Sequence, residues 1–142
     1  MKDSYKLRKT KELAEQSSFV KINGRVVKVG ASVYMGNRFI SDAVNSNKTN
    51  PKVVQYNSVL PFDKTPFLHA EMSALIKASK IIDTKDFKYC TLFIARKLNC
   101  NGYGMARPCP ACREAIRQFG IKRVIYTTDE GSAVEYFTDE EL

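Results

Sequence analysis

His69-Ala70-Glu71 and Pro108-Cys109-Pro110-Ala111-Cys112 hold the residue types from which a catalytic zinc site is made. His69 is the only histidine of the chain, and one imidazole with two cysteine sulfurs makes three ligands for zinc. Structural zinc sites normally close with four protein ligands, whereas catalytic ones keep a position open for water or substrate. Three ligands, with the carboxylate of Glu71 two residues from the histidine, therefore point to metal-assisted acid/base chemistry. Two plainer readings compete: Cys109 and Cys112 as a redox dithiol, which leaves His69 and Glu71 without a role, and Cys100 as a fourth, closing ligand.

The elements that must present these residues read as an α/β frame. Residues 4–17 are rich in helix formers, and residues 26–34 are β-rich. Gly36-Asn37 signals a hairpin turn, with residues 38–41 returning. Residues 45–66 lack periodicity and contain Pro51, Pro61 and Pro66, so they read as a long loop of the kind that lines sites. From Ala70, the positions Met72, Leu75, Ile76, Ser79 and Ile82 recur at helical spacing, which puts Glu71 in a first turn. Residues 89–95 form a nearly continuous apolar run, as in a buried central strand, and Cys90 within it reads as a small core residue. Cys109 to Phe119 reads as a helix introduced by Pro108 and Pro110 and stopped by Gly120. Residues 123–128, a turn at Asp129-Glu130-Gly131 and residues 133–137 close the chain as a hairpin. Both chemical motifs thus fall at helix N-termini, where the dipole favours thiolate.

With 142 residues, 44% of them hydrophobic, the chain suits a single domain. No apolar run is long enough to span a bilayer and no leader is apparent, so a cytoplasmic setting with reduced thiols is expected. Charge is uneven: residues 1–113 hold 20 Lys/Arg against 8 Asp/Glu, and residues 114–142 hold 3 against 7. The basic part suits a phosphorylated or polymeric anion, or simply keeps the protein in solution.

H-x-E followed by P-C-x-x-C is the signature of zinc-dependent nucleobase deaminases. The chain matches it without substitution, and Arg107-Pro108-Cys109-Pro110-Ala111-Cys112-Arg113-Glu114 resembles the same segment in deaminases of the cytidine and deoxycytidylate type. The resemblance spans roughly residues 19–138, with residues 1–18 an added N-terminal helix. It implies a three-layer α/β/α fold on a mixed five-stranded sheet ending in an antiparallel hairpin. It further implies Zn2+ held by His69, Cys109 and Cys112, and Glu71 as the catalytic proton shuttle. Asn45, otherwise a common loop residue, would meet the sugar, and the backbone of Ala70 the base edge; nearby, Lys48 and Lys52 are candidates to meet a phosphate, with solvated lysines the plainer reading. Tyr103 and Phe67 would stack on the base, with core packing the plainer reading of Phe67. A terminal hairpin without an intervening helix is similar to the cytidine-deaminase branch, yet His69 stands where tetrameric cytidine deaminases usually carry Cys.

The implied activity is hydrolytic deamination of cytosine in a free nucleoside or nucleotide (cytidine, deoxycytidine or dCMP) to uracil, with release of ammonia. The implied partner is a small molecule, the implied assembly a homo-oligomer, and no membrane is involved. A deaminase of single-stranded DNA or RNA and a non-catalytic zinc-binding module are the alternatives.

Overall fold

The computed structural model describes residues 2–17, 20–22, 25–45, 69–98 and 102–137. Helix α1 spans Asp3–Glu15, and strands β1, β2 and β3 span Val20–Ile22, Arg25–Met35 and Arg38–Val44. Helix α2 runs over Ala70–Ser79, and a 3-10 turn at Thr84–Tyr89 leads into β4, Cys90–Lys97. The short β5 (Tyr103–Gly104), helix α3 (Pro110–Phe119) and strands β6 (Arg123–Thr128) and β7 (Gly131–Tyr136) complete the chain.

Five strands form the frame in the order β3-β2-β4-β6-β7. Only β4 and β6 run parallel; the other pairs are antiparallel. A parallel neighbour demands a crossover, and α3 supplies it, which carries Cys109 and Cys112 out of the end of β4 and back over the sheet. The mixed sheet and terminal hairpin agree with expectation, but among the described residues the strands number seven, where five were expected. β1 adds three residues to β2 and β5 adds two to β4, lengths at which a period of two leaves no trace in a sequence.

Alternation along the strands divides the core in two. Ala31 and Val33 of β2 and Leu92 and Ile94 of β4 join Ala70, Ala74, Leu75 and Ala78 of α2 on one face. Tyr34, Phe93 and Ile125 meet Leu7 of α1 on the other. The sheet therefore separates α1 from α2 and α3, giving three layers. Among the described residues no helix is long and apolar enough to cross a membrane.

Gly30 sets the depth at which α1 packs. A Cβ there would lie 2.8 Å from the backbone N of Ala14 and 3.1 Å from the carbonyl O of Thr10, atoms of a helix that cannot yield singly. Gly30→Ala is expected to destabilise the protein by about 1–3 kcal/mol through overpacking. Thermal or denaturant unfolding checks it, and an unchanged midpoint would show that α1 is free to shift.

Candidate active site

Each motif is held by the start of a helix. His69 is the N-cap of α2, in extended conformation, and its carbonyl accepts from Ser73 N at 3.0 Å. Cys109 is the N-cap of α3, followed by Pro110, and its carbonyl accepts from Arg113 N at 2.8 Å. Proline suits this first position because its missing N–H would find no helical partner there. At the other end Gly120 closes α3 in the left-handed conformation, at φ 98°. Met72 and Ile76 of α2 pack on Ala111, Cys112 and Ala115 of α3. The alanines let the two N-termini come together.

Among the described residues one group of metal-binding side chains converges, and it is His69, Cys109 and Cys112. Their ligand atoms lie within 4.8 Å of one another. Nδ1 of His69 is 3.3 Å from Sγ of Cys112 and 4.0 Å from Sγ of Cys109. Zinc bonds of about 2.3 Å to sulfur and about 2.0–2.1 Å to nitrogen place tetrahedral ligands about 3.5–3.8 Å apart. The observed separations bracket that range, so the three residues fit the ion with little movement.

The two cysteines differ electrostatically. Cys109 is pulled down to about 4, first by the hydrogen bond from Cys112 and then by His69, against the opposing effect of burial. Cys112, fully buried, is pushed well above the ordinary thiol range by acting as that donor and by burial. Zinc binding requires both sulfurs as thiolates, so it would release the proton that Cys112 keeps. Glu71, 7% exposed, is raised above the ordinary carboxyl range by burial, while His69 pulls it back. The site therefore joins a metal-binding triad to a buried carboxyl whose pKa is raised by burial.

The other expected residues are placed as follows. Ala70 is fully buried as the first residue of α2, between His69 and Glu71. Asn45, 8% exposed, directly follows β3, and its Oδ1 accepts from Val29 N at 3.1 Å and from Ser17 Oγ at 2.5 Å. Those bonds orient its carboxamide. Tyr103 is not brought to the triad. It pairs with Lys97, which follows Thr91, Phe93 and Ala95 on the α1 face. Its hydroxyl donates to Glu15 Oε1 at 3.0 Å, and Lys11 and Lys97 stand 5.1 and 5.3 Å from the ring centroid. The sheet lies between this ring and the zinc ligands, because α1 attracts the tyrosine that the sequence pattern assigned to the base. Lys48, Lys52, Phe67 and Cys100 lie outside the described residues. Cys90 is buried in β4 as expected.

Sequence reasoning gave no role to Glu135. It accepts from Arg107 at 3.2 Å (Nε) and 3.1 Å (Nη2) through Oε1, and pairs with Arg113 through Oε2. Arg113 also lies over the ring of Phe137, 5.1 Å from its centroid. No local signal pointed to it: alternation with the apolar Val134 and Tyr136 reads as an outward charge, yet Val134 and Tyr136 are exposed and Glu135 is half-buried.

The chain matches the family model described as the cytidine and deoxycytidylate deaminase zinc-binding region over residues 1–128. No curated protein matches it at a significant level. Among solved structures, a cytidine deaminase from Burkholderia pseudomallei is 18% identical, with TM-score 0.63, over 96% of this chain and 93% of that one. At that identity the likeness bears on the fold alone. The apo dCMP deaminase of the cyanophage S-TIM5 is 30% identical, with TM-score 0.58, over 90% of this chain and 86% of that one. A second structure of the phage enzyme holds dCMP and dUMP, with 24% identity, TM-score 0.57 and coverage of 90% and 84%. The match over residues 1–128, carried by a complete His69/Cys109/Cys112 set, shows that the chain belongs to the cytidine and deoxycytidylate deaminase zinc-binding family.

Proposed function

We propose that this deaminase acts on the cytosine of a free nucleoside or nucleotide, cytidine, deoxycytidine or dCMP, giving the uracil compound and ammonia. The observation that carries the reading is the buried carboxyl of Glu71 directly beside the His69/Cys109/Cys112 triad. Likeness to the phage dCMP deaminase supports a cytosine nucleotide as substrate. In this reading His69, Cys109 and Cys112 hold zinc. Bound there, zinc supplies Lewis acidity that brings the pKa of water from about 15.7 toward about 7.

The remaining work falls to the chain's own groups. Glu71 takes a proton from the attacking water and delivers it to N3 of the cytosine ring. It then passes the water's second proton to the exocyclic amine, so that the C4–N bond breaks as the C4–O bond is completed. Water and cytosine are consumed, and uracil and ammonia leave. Burial lets one carboxyl do all of this, because it lifts the acid's pKa toward the working pH. The backbone of Ala70 faces the base edge, Asn45 meets the sugar, and Lys48 and Lys52 meet a phosphate where one is present. A single domain over residues 1–142, assembled as a homo-oligomer in the cytoplasm, belongs to the same reading.

The basic surface favours a polynucleotide as the second reading. Among the described residues, two exposed or half-buried rings with flanking cations, Tyr5 beside Arg8 and Lys9 and Tyr103 between Lys11 and Lys97, lie on the α1 side. A strand bound at those two rings would have the sheet between its bases and Glu71.

Ammonia release from cytidine, deoxycytidine, CMP, dCMP, adenosine and a cytosine-containing single-stranded oligonucleotide tests the reading. Turnover of a free cytosine compound is expected. Turnover of the oligonucleotide alone would transfer the protein to the nucleic-acid deaminases, and a zinc-loaded protein inert on the whole panel would defeat the proposal.

A further inference from the structure

Cys109 and Cys112 sit where an irregular segment, residues 105–109, turns into α3, so the placement of the two sulfurs follows the shape of that segment. One anchor is a backbone bond, Ala106 N to Thr127 O at 2.9 Å. The other is Glu135. It pairs across the hairpin with Val124, a residue buried in the α2 face of the core, so its side chain rises on the side where α3 lies. There its carboxylate takes Arg107, two residues before Cys109, on one oxygen and Arg113, directly after Cys112, on the other.

We propose that Glu135 is a positioning residue for the zinc ligands, tying both ends of the cysteine segment to the terminal strand. The inference rests on reading Cys109 and Cys112 as ligands. Arg107 holds the loop that enters the site and Arg113 the first turn of the helix, so a single carboxylate sets the spacing of the two sulfurs. A lone exposed ion pair does little. This one is different in kind: Glu135 keeps only 20% of its side-chain surface and serves two guanidiniums, and Arg113 is further confined against Phe137. Loss of the carboxylate would also leave two cations on the segment that must receive a third. Outer groups that orient metal ligands typically change metal affinity by about 10–100-fold when removed.

The test is chelator competition for zinc on the full chain, comparing wild type with Glu135→Gln, Arg113→Gln and the double variant. Zinc affinity is expected to fall about 10- to 100-fold in each single variant. The double variant is expected to be no weaker than the weaker single one, since both changes break the same contact. Glu135→Asp, which keeps the charge on a shorter stem, is expected to recover part of the affinity. A purely structural role would instead lower the melting temperature of the zinc-free protein and leave its zinc affinity alone. Wild-type affinity in Glu135→Gln overturns the proposal, and so do losses that add fully in the double variant. Should Glu135→Gln fail to fold, Arg113→Gln decides by the same criterion. Because the readout is zinc affinity, a failure to deaminate any cytosine compound would refute the proposed function and leave this inference standing.

Discussion

Glu71→Gln is expected to yield a folded, zinc-loaded protein whose kcat for deamination has fallen by at least about 10²–10⁴-fold. In barrier terms that is about 3–5 kcal/mol, at 1.36 kcal/mol for each factor of ten. Glutamine keeps the shape and a hydrogen-bonding oxygen but cannot carry a proton at any working pH. The size of the effect follows from the placement of this carboxyl. It is buried, burial raises its pKa, and it sits beside a triad whose positive ion would draw it back toward ionisation. A group balanced in this way can accept and return protons within one catalytic cycle, which an exposed glutamate, ionised throughout, cannot do. The measurement is steady-state turnover with zinc content determined on the same sample. A Glu71→Gln protein carrying a full complement of zinc and working within tenfold of wild type would remove Glu71 from the proton pathway.

The frame of this fold was legible wherever a short stretch of chain contains its own reason for a conformation. The run at residues 89–95 became β4 because a strand covered on both faces needs apolar side chains on both. Gly120 ends α3 at a positive φ that other residues resist, and Gly36, at φ 61°, makes the β2–β3 turn. The ligand triad was legible for a different reason, since zinc restricts ligand type and a helix start restricts spacing. What stayed hidden depends on contacts between distant residues. Tyr103 lies against Glu15, 88 positions away, and no local pattern says which face of a two-residue strand it occupies. Glu135 meets Arg107 and Arg113 only once β7 has folded back beside β6. Asn45 was read as a sugar contact at the start of a loop, and no local pattern showed that its side-chain oxygen is engaged by Val29 and Ser17, at the meeting of β2, β3 and the chain after α1.

Cys112→Ala is the second change with a large expected effect, and it acts on the ion rather than on the proton. Cys112 is the deepest of the three ligands, fully buried and 3.3 Å from His69 Nδ1. Alanine leaves His69 and Cys109, two ligands of which only one is a thiolate, and no polar atom at the third corner. Zinc content is expected to drop below stoichiometric levels and deamination to background. Stability should fall too, because an ion that binds only the folded state contributes RT ln(1 + [L]/Kd), about 4 kcal/mol at a thousandfold excess over Kd. Chelation of the wild type should reproduce both losses, and added zinc should reverse them in wild type but not in Cys112→Ala. Acid should act in the same direction as the chelator: thiolates and neutral imidazole bind the ion, their protonated forms do not, so affinity declines as pH falls. Metal analysis and thermal unfolding with and without chelator check these outcomes together. Full activity in a metal-free protein would overturn the assignment of the triad, whereas zinc retained by Cys112→Ala would mean that a fourth residue closes the site.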